Sequence, residues 1–276
     1  MKKKIKFLQF YIGNVCNLAC PNCASFNNYA FKGQFDWFSN KENAHLWSKI
    51  LDPNEVAIIG GEPFTNPDLD NWVYGLLESY TPNDFRITTN GTFLKRDIER
   101  VLDYTSKGVN IEISSHSKSH YAEHNLFIKK YFPNKEILDD CIKYTNSNKG
   151  FIEVRDATNF FNICVKGIED KTFIMNNSNP KDAHDVCPVK DCHYIVEGKL
   201  YQCVVTATTP MFAQQFKVDE HSKQIINQTK SVLPTDSNSA INMFLDKIDK
   251  PCIQCTLCPD TIELNNFTLP RKKVKI

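Results

Sequence analysis

The chain has 276 residues and eleven cysteines, and 33 lysines and arginines balance 32 acidic residues to give a net charge of +1. This length can bury a full hydrophobic core and favours one large domain with one small one. A near-neutral charge argues against a nucleic-acid partner, and the basic ends 2–4 and 271–273 are interpreted as solvated tails. No stretch reaches the about 20 apolar residues that a membrane span needs.

The N-terminus superficially mimics a signal peptide, because lysines precede an apolar run. That run is short, is interrupted by Lys6 and Gln9, and lacks a small-residue cleavage site. We therefore interpret residues 5–12 as the first strand of a cytoplasmic protein. Since disulfides are rare in that compartment, cysteines grouped at short spacings indicate metal binding.

Short β-rich runs alternate with amphipathic helical patterns as far as about residue 155. Strands are predicted at 5–12, 55–59, 85–89, 109–114 and 151–155. Helices are predicted at 68–80 and 95–107, with weaker patterns at 42–51 and 135–145. This alternation predicts an α/β fold with a parallel sheet and right-handed crossovers. Functional residues are then expected beyond the carboxyl ends of the strands.

Three cysteines, Cys16, Cys20 and Cys23, follow the first predicted strand on a short loop. Closely spaced thiolates hold iron–sulfur clusters, and three ligands leave one iron of a [4Fe–4S] cube open to a ligand that is not protein. A closed structural zinc site needs four ligands, yet neither cysteine nor histidine occurs between Cys23 and His45. The pattern therefore favours an open iron–sulfur centre.

This CxxxCxxC arrangement resembles the signature of the radical S-adenosylmethionine (SAM) enzymes. The resemblance implies that the three cysteines hold a [4Fe–4S] cluster whose free iron binds the methionine part of SAM. It implies that an electron from the cluster cleaves SAM to a 5′-deoxyadenosyl radical, which abstracts a hydrogen from the substrate. It also implies a partial (β/α)6 barrel of the TIM type at residues 1–183, and an electron donor such as a flavodoxin or a ferredoxin.

Two further motifs at predicted strand ends strengthen the resemblance. Gly60, Gly61 and Glu62, followed by proline, resemble the GGEP motif that receives the amino group of SAM. Paired glycines allow close approach of the backbone to a ligand, and a carboxylate can accept from an ammonium group. Alone, such a sequence is more often only a turn. Asn90 lies in Thr89-Asn90-Gly91, which resembles the TNG turn of the family.

Four more residues are predicted SAM contacts because they match the positions that the family uses. Ser114 and Ser115 end the fourth predicted strand and would meet the ribose hydroxyls. Arg155 ends the fifth, where its guanidinium suits the SAM carboxylate, although an ordinary surface ion pair explains it equally well. Asn22 stands where the family often has an aromatic residue, so that its adenine contact would use the backbone.

The remaining isolated histidines and cysteines have simpler interpretations. His116, His120 and His124 are spaced by four, and on a helix they would stack as a possible metal or acid–base set. We interpret them instead as polar loop residues, some of them near the substrate entrance. Cys141 and Cys164 lie apart from both cysteine groups and are interpreted as buried small apolar residues.

A second cysteine group follows a polar, irregular segment at 167–185, which predicts a domain boundary and a separate unit at 184–276. A hairpin at 198–203 is predicted to present Cys203. A zinc ribbon would also fit two cysteine groups separated by a loop.

The order Cys187, ten residues, Gly198, four residues, Cys203 resembles the C-x(9–15)-G-x(4)-C opening of the SPASM and Twitch auxiliary-cluster domains. Six cysteines are too few for two fully ligated cubes, so the resemblance implies one auxiliary [4Fe–4S] cluster in a small Twitch-like domain. The expected ligands are Cys187, Cys203, Cys252 and Cys255, and the competitors are Cys192 and Cys258.

The expected activity is that of a radical SAM oxidoreductase. An auxiliary cluster that accepts an electron would give net dehydrogenation of a small molecule such as a sugar or an aminocyclitol alcohol. The cluster loop starts at residue 16, which leaves no room for the leader-binding domain of some peptide-modifying relatives and favours a small substrate. A peptide or protein substrate is the alternative. A ferredoxin-like carrier and a zinc-dependent structural module are further alternatives, and neither would release 5′-deoxyadenosine.

Overall fold

A nine-stranded sheet organises the chain, for which the computed structural model describes residues 2–29, 32–161 and 164–266. The strands of this sheet and of two smaller pairs are, in chain order, β1 (Lys3–Tyr11), β2 (Leu51–Ile59), β3 (Asp84–Thr89), β4 (Asn110–Ser115), β5 (Asn134–Ile137), β6 (Cys141–Thr145), β7 (Ile152–Asp156), β8 (Asn159–Phe161), β9 (Val165–Glu169), β10 (Thr172–Met175), β11 (Cys192–Val196), β12 (Lys199–Tyr201) and β13 (Leu264–Asn266). The smaller pairs are β9 with β10 and β8 with β13, both antiparallel.

The helices lie between the strands, as the alternating pattern predicts. They are α1 (Trp37–Ile50), α2 (Leu69–Ser79), α3 (Ile98–Ser106), α4 (Lys118–Ile128), α5 (Pro180–Asp185), α6 (Val204–Gln215), α7 (Glu220–Ile226) and α8 (Asn238–Leu245), with short 3₁₀ helices at Pro63–Thr65 and Ile253–Leu257. Capping side chains start several of them. The Asp36 carboxylate accepts from the Ser39 N–H before α1, and the Ser117 hydroxyl accepts from the His120 N–H before α4.

The sheet order is β12-β11-β1-β2-β3-β4-β7-β6-β5. Strands β11, β1, β2, β3, β4 and β7 are parallel, whereas β12, β6 and β5 pair antiparallel with their neighbours at the two edges. All five predicted strands occur, and the predicted α/β class with a parallel sheet is confirmed. Its order is open between β12 and β5, as a partial barrel requires.

Two segments differ from the sequence prediction. The weak helix predicted at 135–145 is wrong, because this segment forms the antiparallel hairpin of β5 and β6 at the sheet edge. The irregular segment predicted at 167–185 contains the hairpin of β9 and β10 and helix α5. In its turn, Asp170 and Lys171 adopt the left-handed conformation, at φ 45° and 61°. Such turns usually contain a glycine, and this one does not.

The sheet continues across the predicted domain boundary. Strand β11 belongs to the unit predicted at 184–276, yet it pairs in parallel with β1, placing Cys192 opposite Phe7. The division of the chain at residue 183 therefore stays a prediction, and the two units share one sheet. Lys3 and Lys4 belong to β1 rather than to a tail, and residues 271–273 lie outside the described ranges.

Aromatic packing joins the loop after Cys23 to the C-terminal unit. The rings of Phe26 and Phe212 lie 4.4 Å apart, and Phe173 packs against Phe212 with ring centroids 4.7 Å apart. Tyr29 packs against Phe173 at 5.1 Å. All four side chains are buried, so this ring cluster fixes the first cysteine loop relative to α6 and to the β9–β10 hairpin. In the described ranges, no helix combines the length and the apolar character needed to cross a membrane.

Candidate functional site

The first cysteine loop leaves the carboxyl end of β1 and brings three thiols together. Burial, followed by the nearby thiols of Cys23 and Cys16, raises the pKa of Cys20 well above its ordinary value. Crowded, half-buried thiols resist ionisation because neighbouring thiolates repel, and a bound cation removes that penalty. In the described part of the chain, no three Cys, His or acidic side chains are arranged around one ion. Each thiolate of a cube binds its own iron, so this donor set fits an iron–sulfur cluster.

The glycines of the GGEP-like turn allow it to pack against the cysteine loop. A Cβ atom on Gly60 would lie 2.8 Å from the Gly13 carbonyl oxygen, and one on Gly61 would lie 2.3 Å from the Val15 carbonyl oxygen. The Gly61 N–H donates to Gly13 O at 2.7 Å, and the Glu62 N–H donates to Val15 O at 2.8 Å. The close backbone approach is thus to the cysteine loop itself, and the glycines set the position of its first turn.

The Glu62 carboxylate connects this turn to the TNG-like turn. It accepts from the Phe64 N–H at 3.0 Å, the Thr89 hydroxyl at 2.7 Å and the Asn90 N–H at 2.7 Å. Burial raises its pKa to about 7, although these three hydrogen bonds oppose the shift. Three donors already engage the carboxylate, so its main visible role is to join the two turns. The expected contact with the amino group of SAM stays a prediction.

Asn90 faces the first cysteine loop. Its Nδ2 lies 3.8 Å from the Cys16 Sγ and donates to Asn17 Oδ1 at 2.9 Å. Asn17 Nδ2 in turn donates to the Thr92 hydroxyl at 2.8 Å. Hydrogen bonds near cluster sulfurs tune the reduction potential of a cluster. Asn17 and Thr92 were not predicted as site residues; Asn17 lies inside the CxxxCxxC motif, and Thr92 directly follows the TNG-like turn.

The two predicted ribose contacts separate. Ser115 is fully buried, and its Oγ lies 2.8 Å from His124 Nδ1 on α4, so it faces the helix layer. Ser114 has the opposite orientation, because side chains alternate between the two faces of a strand, and it pairs in register with Arg155. The ribose contact stays a prediction for both serines, and for Ser115 it would require that its hydroxyl leave His124.

Arg155 is held by carboxylates rather than directed at an open site. Its guanidinium donates to Glu153 at 2.9 Å, pairs with Asp140, and lies 3.5 Å from Glu112. Burial opposes its charge, but the surrounding acidic groups raise its pKa. The ion-pair interpretation thus accounts for Arg155, and its contact with the SAM carboxylate stays a prediction that would require exchange of partners.

The three histidines do not form one site. His120 and His124 belong to α4, so the loop prediction is wrong for these two, and their rings lie 5.9 Å apart. Burial, then repulsion from His120, lowers the pKa of His124 to about 4. His116 instead lines a separate large cavity, and its Nδ1 lies 3.2 Å from the Ala157 carbonyl oxygen. A carbonyl only accepts, so Nδ1 carries the proton and Nε2 is the basic nitrogen.

The second cysteine group surrounds that cavity, which has a volume of about 330 Å³. The cysteines that line it are Cys164, Cys187, Cys203, Cys255 and Cys258. Cys252 does not line it, but its Sγ is 3.9 Å from the Cys255 Sγ. The predicted hairpin is confirmed as β11 and β12, and it ends with Cys203 directly before α6.

A buried histidine that the sequence analysis missed fixes the distance between this hairpin and the last cysteines. His193 Nδ1 lies 2.8 Å from the Gln202 carbonyl oxygen, and Nε2 lies 3.0 Å from Asp249 Oδ1. The side chain of Gln202 also donates to the Lys250 carbonyl. These contacts hold the residue before Cys203 next to the segment that precedes Cys252.

Three further cysteines differ in their position relative to the cavity. Cys192 does not line the cavity. It packs on β11 beside Asp191, and burial, then that carboxylate, raises its pKa to about 12. Cys187 also raises that pKa, and the predicted place of Cys192 among the metal ligands stays a prediction. Cys164 is buried as predicted, yet its Sγ is 3.8 Å from the Cys258 Sγ. Cys141 is buried on β6, as predicted.

The cavity also reaches the first cysteine loop. Asn22 and Ala24 line it together with the second cysteine group. Asn22 adopts φ 57°, a left-handed conformation that asparagine tolerates better than a bulky residue. The cavity of the second cysteine group therefore extends to the two residues on either side of Cys23.

No protein-family model matches the chain. A segment of 117 residues is 27% identical to the GTP 3′,8-cyclase of Nautilia profundicola, covering 41% of this chain and 36% of that protein. A segment of 176 residues is 24% identical to the GTP 3′,8-cyclase of Campylobacter fetus, covering 62% of this chain and 50% of that protein. The chain thus spans half or less of the length of these relatives.

A solved structure, BtrN in complex with AdoMet and 2-DOIA, is similar with a TM-score of 0.48 and 16% identity, over 95% of this chain and 100% of that chain. The cyclase relatives, together with the cysteine motif at residues 16–23, support a member of the radical SAM superfamily and therefore an enzyme.

Proposed function

We propose that this chain is a radical SAM oxidoreductase that dehydrogenates a small molecule such as a sugar or an aminocyclitol alcohol. The observation that supports this most is the cavity of about 330 Å³ that is lined by the second group of thiols and reaches Asn22 and Ala24 of the first cysteine loop. That volume lies at the lower end of the range of small-molecule sites, and an auxiliary cluster on the thiols of its wall would take up part of it. When bound, SAM on its [4Fe–4S] cluster would supply a radical for hydrogen abstraction, and an auxiliary cluster would supply an acceptor for the second electron.

The chain's own residues would position these groups. Cys16, Cys20 and Cys23 would hold the first cluster. The loop that carries them is hydrogen-bonded to the GGEP-like turn. The backbone beside Gly61 and the side chain of Asn90 lie next to that loop and would face SAM. Burial of the ring cluster beneath the loop excludes water from this side of the site.

Oxidation of an alcohol to a ketone releases one hydrogen atom, one electron and one proton. The cavity lining includes His116, and an imidazole side chain can accept that proton. Gln202 and Lys190 also line the cavity and can bind the hydroxyl groups of a sugar or a cyclitol. We propose His116 as the proton acceptor of the reaction.

The first test is iron and sulfide content after anaerobic purification, followed by SAM cleavage with a chemical reductant and then with a flavodoxin or a ferredoxin. Two cubes give about eight irons per chain, whereas about four irons with one zinc would remove the electron acceptor from the proposal. Release of 5′-deoxyadenosine should disappear in Cys16→Ala. Retention of wild-type cleavage in this variant would overturn the assignment.

The second test identifies the substrate class. Aminocyclitol and sugar alcohols deuterated at the carbinol carbon should transfer deuterium to 5′-deoxyadenosine and yield a ketone two mass units below the unlabelled alcohol. GTP is included because the curated relatives are named GTP 3′,8-cyclase. Deuterium transfer only from a peptide, or turnover only of GTP, would contradict the proposed substrate.

A further inference from the structure

We propose that Cys164 is a ligand of the auxiliary [4Fe–4S] cluster, and that Cys192 is not. This inference rests on the auxiliary cluster of the proposed function. It changes the expected ligand set, because Cys164 lies 94 residues before Cys258 and outside every cysteine motif of the sequence.

The side chain of Cys164 is placed among the other thiols of the cavity. Its Sγ lies 3.8 Å from the Cys258 Sγ, and the residue is only 3% exposed. Both cysteines line the cavity together with Cys187, Cys203 and Cys255. A thiol at this position can bind iron without leaving the cavity wall.

A polar clamp on the backbone holds Cys164 next to Cys258. The backbone N–H of Asn176 donates to the Cys164 carbonyl oxygen at 2.9 Å, and its Nδ2 donates to the same oxygen at 3.1 Å. That Nδ2 also lies 3.4 Å from the carbonyl oxygen of Leu257, the residue directly before Cys258. The pairing of the two thiols is therefore built into the fold through a side chain that binds both segments.

Cys258 is in turn close to the remaining thiols. Cys187, Cys203 and Cys255 line the same cavity as Cys258. The Sγ of Cys255 also lies 3.9 Å from the Sγ of Cys252. Cys164 thus joins a set of five thiols around one cavity, from which a cube needs four. Each thiol that binds iron releases one proton and becomes a thiolate.

Cys192 has different surroundings. It lies on β11 opposite Phe7 and directly follows Asp191, which binds Lys6 at 2.6 Å. It is absent from the residues that line the cavity. Its position away from the cavity wall therefore leaves Cys192 out of the proposed ligand set.

The test uses the full chain with Cys16, Cys20 and Cys23 replaced by alanine, so that only the auxiliary cluster remains. In this parent, Cys164→Ala is compared with Cys192→Ala. Iron and sulfide per chain and the electron paramagnetic resonance (EPR) spectrum of the reduced cluster are measured. We expect Cys164→Ala to lose about a quarter or more of the iron, or to keep it with a shifted spectrum as another thiol takes over. Cys192→Ala should match the parent in both.

Cys141→Ala is the matched control for removing a buried thiol, because Cys141 is 4% exposed and lies on β6 at the far side of the sheet. Cys164→Ser keeps the size of the side chain in case the alanine variant does not fold. Parental iron content and an unchanged spectrum in both Cys164 variants would overturn the inference while leaving the proposed function intact. A parent without iron and sulfide would overturn both.

Discussion

Glu62→Gln should flatten the pH dependence of stability between pH 5 and pH 8. Burial raises the pKa of the Glu62 carboxyl from its ordinary 4.5 to about 7. A carboxyl whose pKa is raised by folding gives its full stabilising contribution below about pH 4.5, and this is lost as the pH rises through about 7. At 1.36 kcal/mol per pKa unit, the loss between pH 5 and pH 8 is about 2.5 kcal/mol in the free energy of unfolding.

The assay is urea denaturation of the reduced, metal-free protein across this pH range. The glutamine cannot ionise, so its slope should lack this loss. It also places an NH₂ group against one of the donors that the carboxylate binds, at a pH-independent cost of about 1–3 kcal/mol. Thiols and histidines titrate equally in both proteins and cancel in the difference. Glu220→Gln, whose carboxylate is 82% exposed, should keep the wild-type slope. Equal slopes in wild type and Glu62→Gln would refute the reasoning.

Two further substitutions test how the loop and the ring cluster are held. Gly61→Ala places a Cβ 2.3 Å from a backbone carbonyl of the cysteine loop, and it should remove about half of the iron, measured per chain after anaerobic purification. Gly167→Ala, whose Cβ would meet nothing within 4 Å, should retain all of it. Phe212→Ala should lower the free energy of unfolding by about 3–5 kcal/mol in urea denaturation. Phe38→Ala, at 63% exposed, should change it by less than about 0.5 kcal/mol, and similar losses in both would contradict the assigned role of the rings.

The parallel strands could be predicted because their signal is local. Residues 55–59 are a mostly apolar run of strand length, and residues 109–114 alternate apolar with polar side chains. The edge hairpin of β5 and β6 could not, since β5 is fully exposed and its pairing with β6 comes from tertiary contacts. The β9–β10 turn could not be predicted either, because its central residues are Asp170 and Lys171 and not the glycine that usually marks such a turn.

In the candidate site, too, some features could be predicted from the sequence and others could not. Cys16, Cys20 and Cys23 could be predicted as a group because the chain itself brings them together. Contacts between distant residues could not, such as Asn17 with Thr92, which are separated by 75 positions. The side on which a strand-end residue faces was also hidden, since Ser115 turns toward His124.

The ring cluster connects the segments that carry the two cysteine groups. Phe26 lies three residues after Cys23, and Phe212 lies nine residues after Cys203. Their rings are 4.4 Å apart in a fully buried position. A close-packed core transmits displacement because it has little free volume. The packing of Phe26 against Phe212 therefore helps to set the separation of the two thiol groups, in addition to the loops that carry the cysteines.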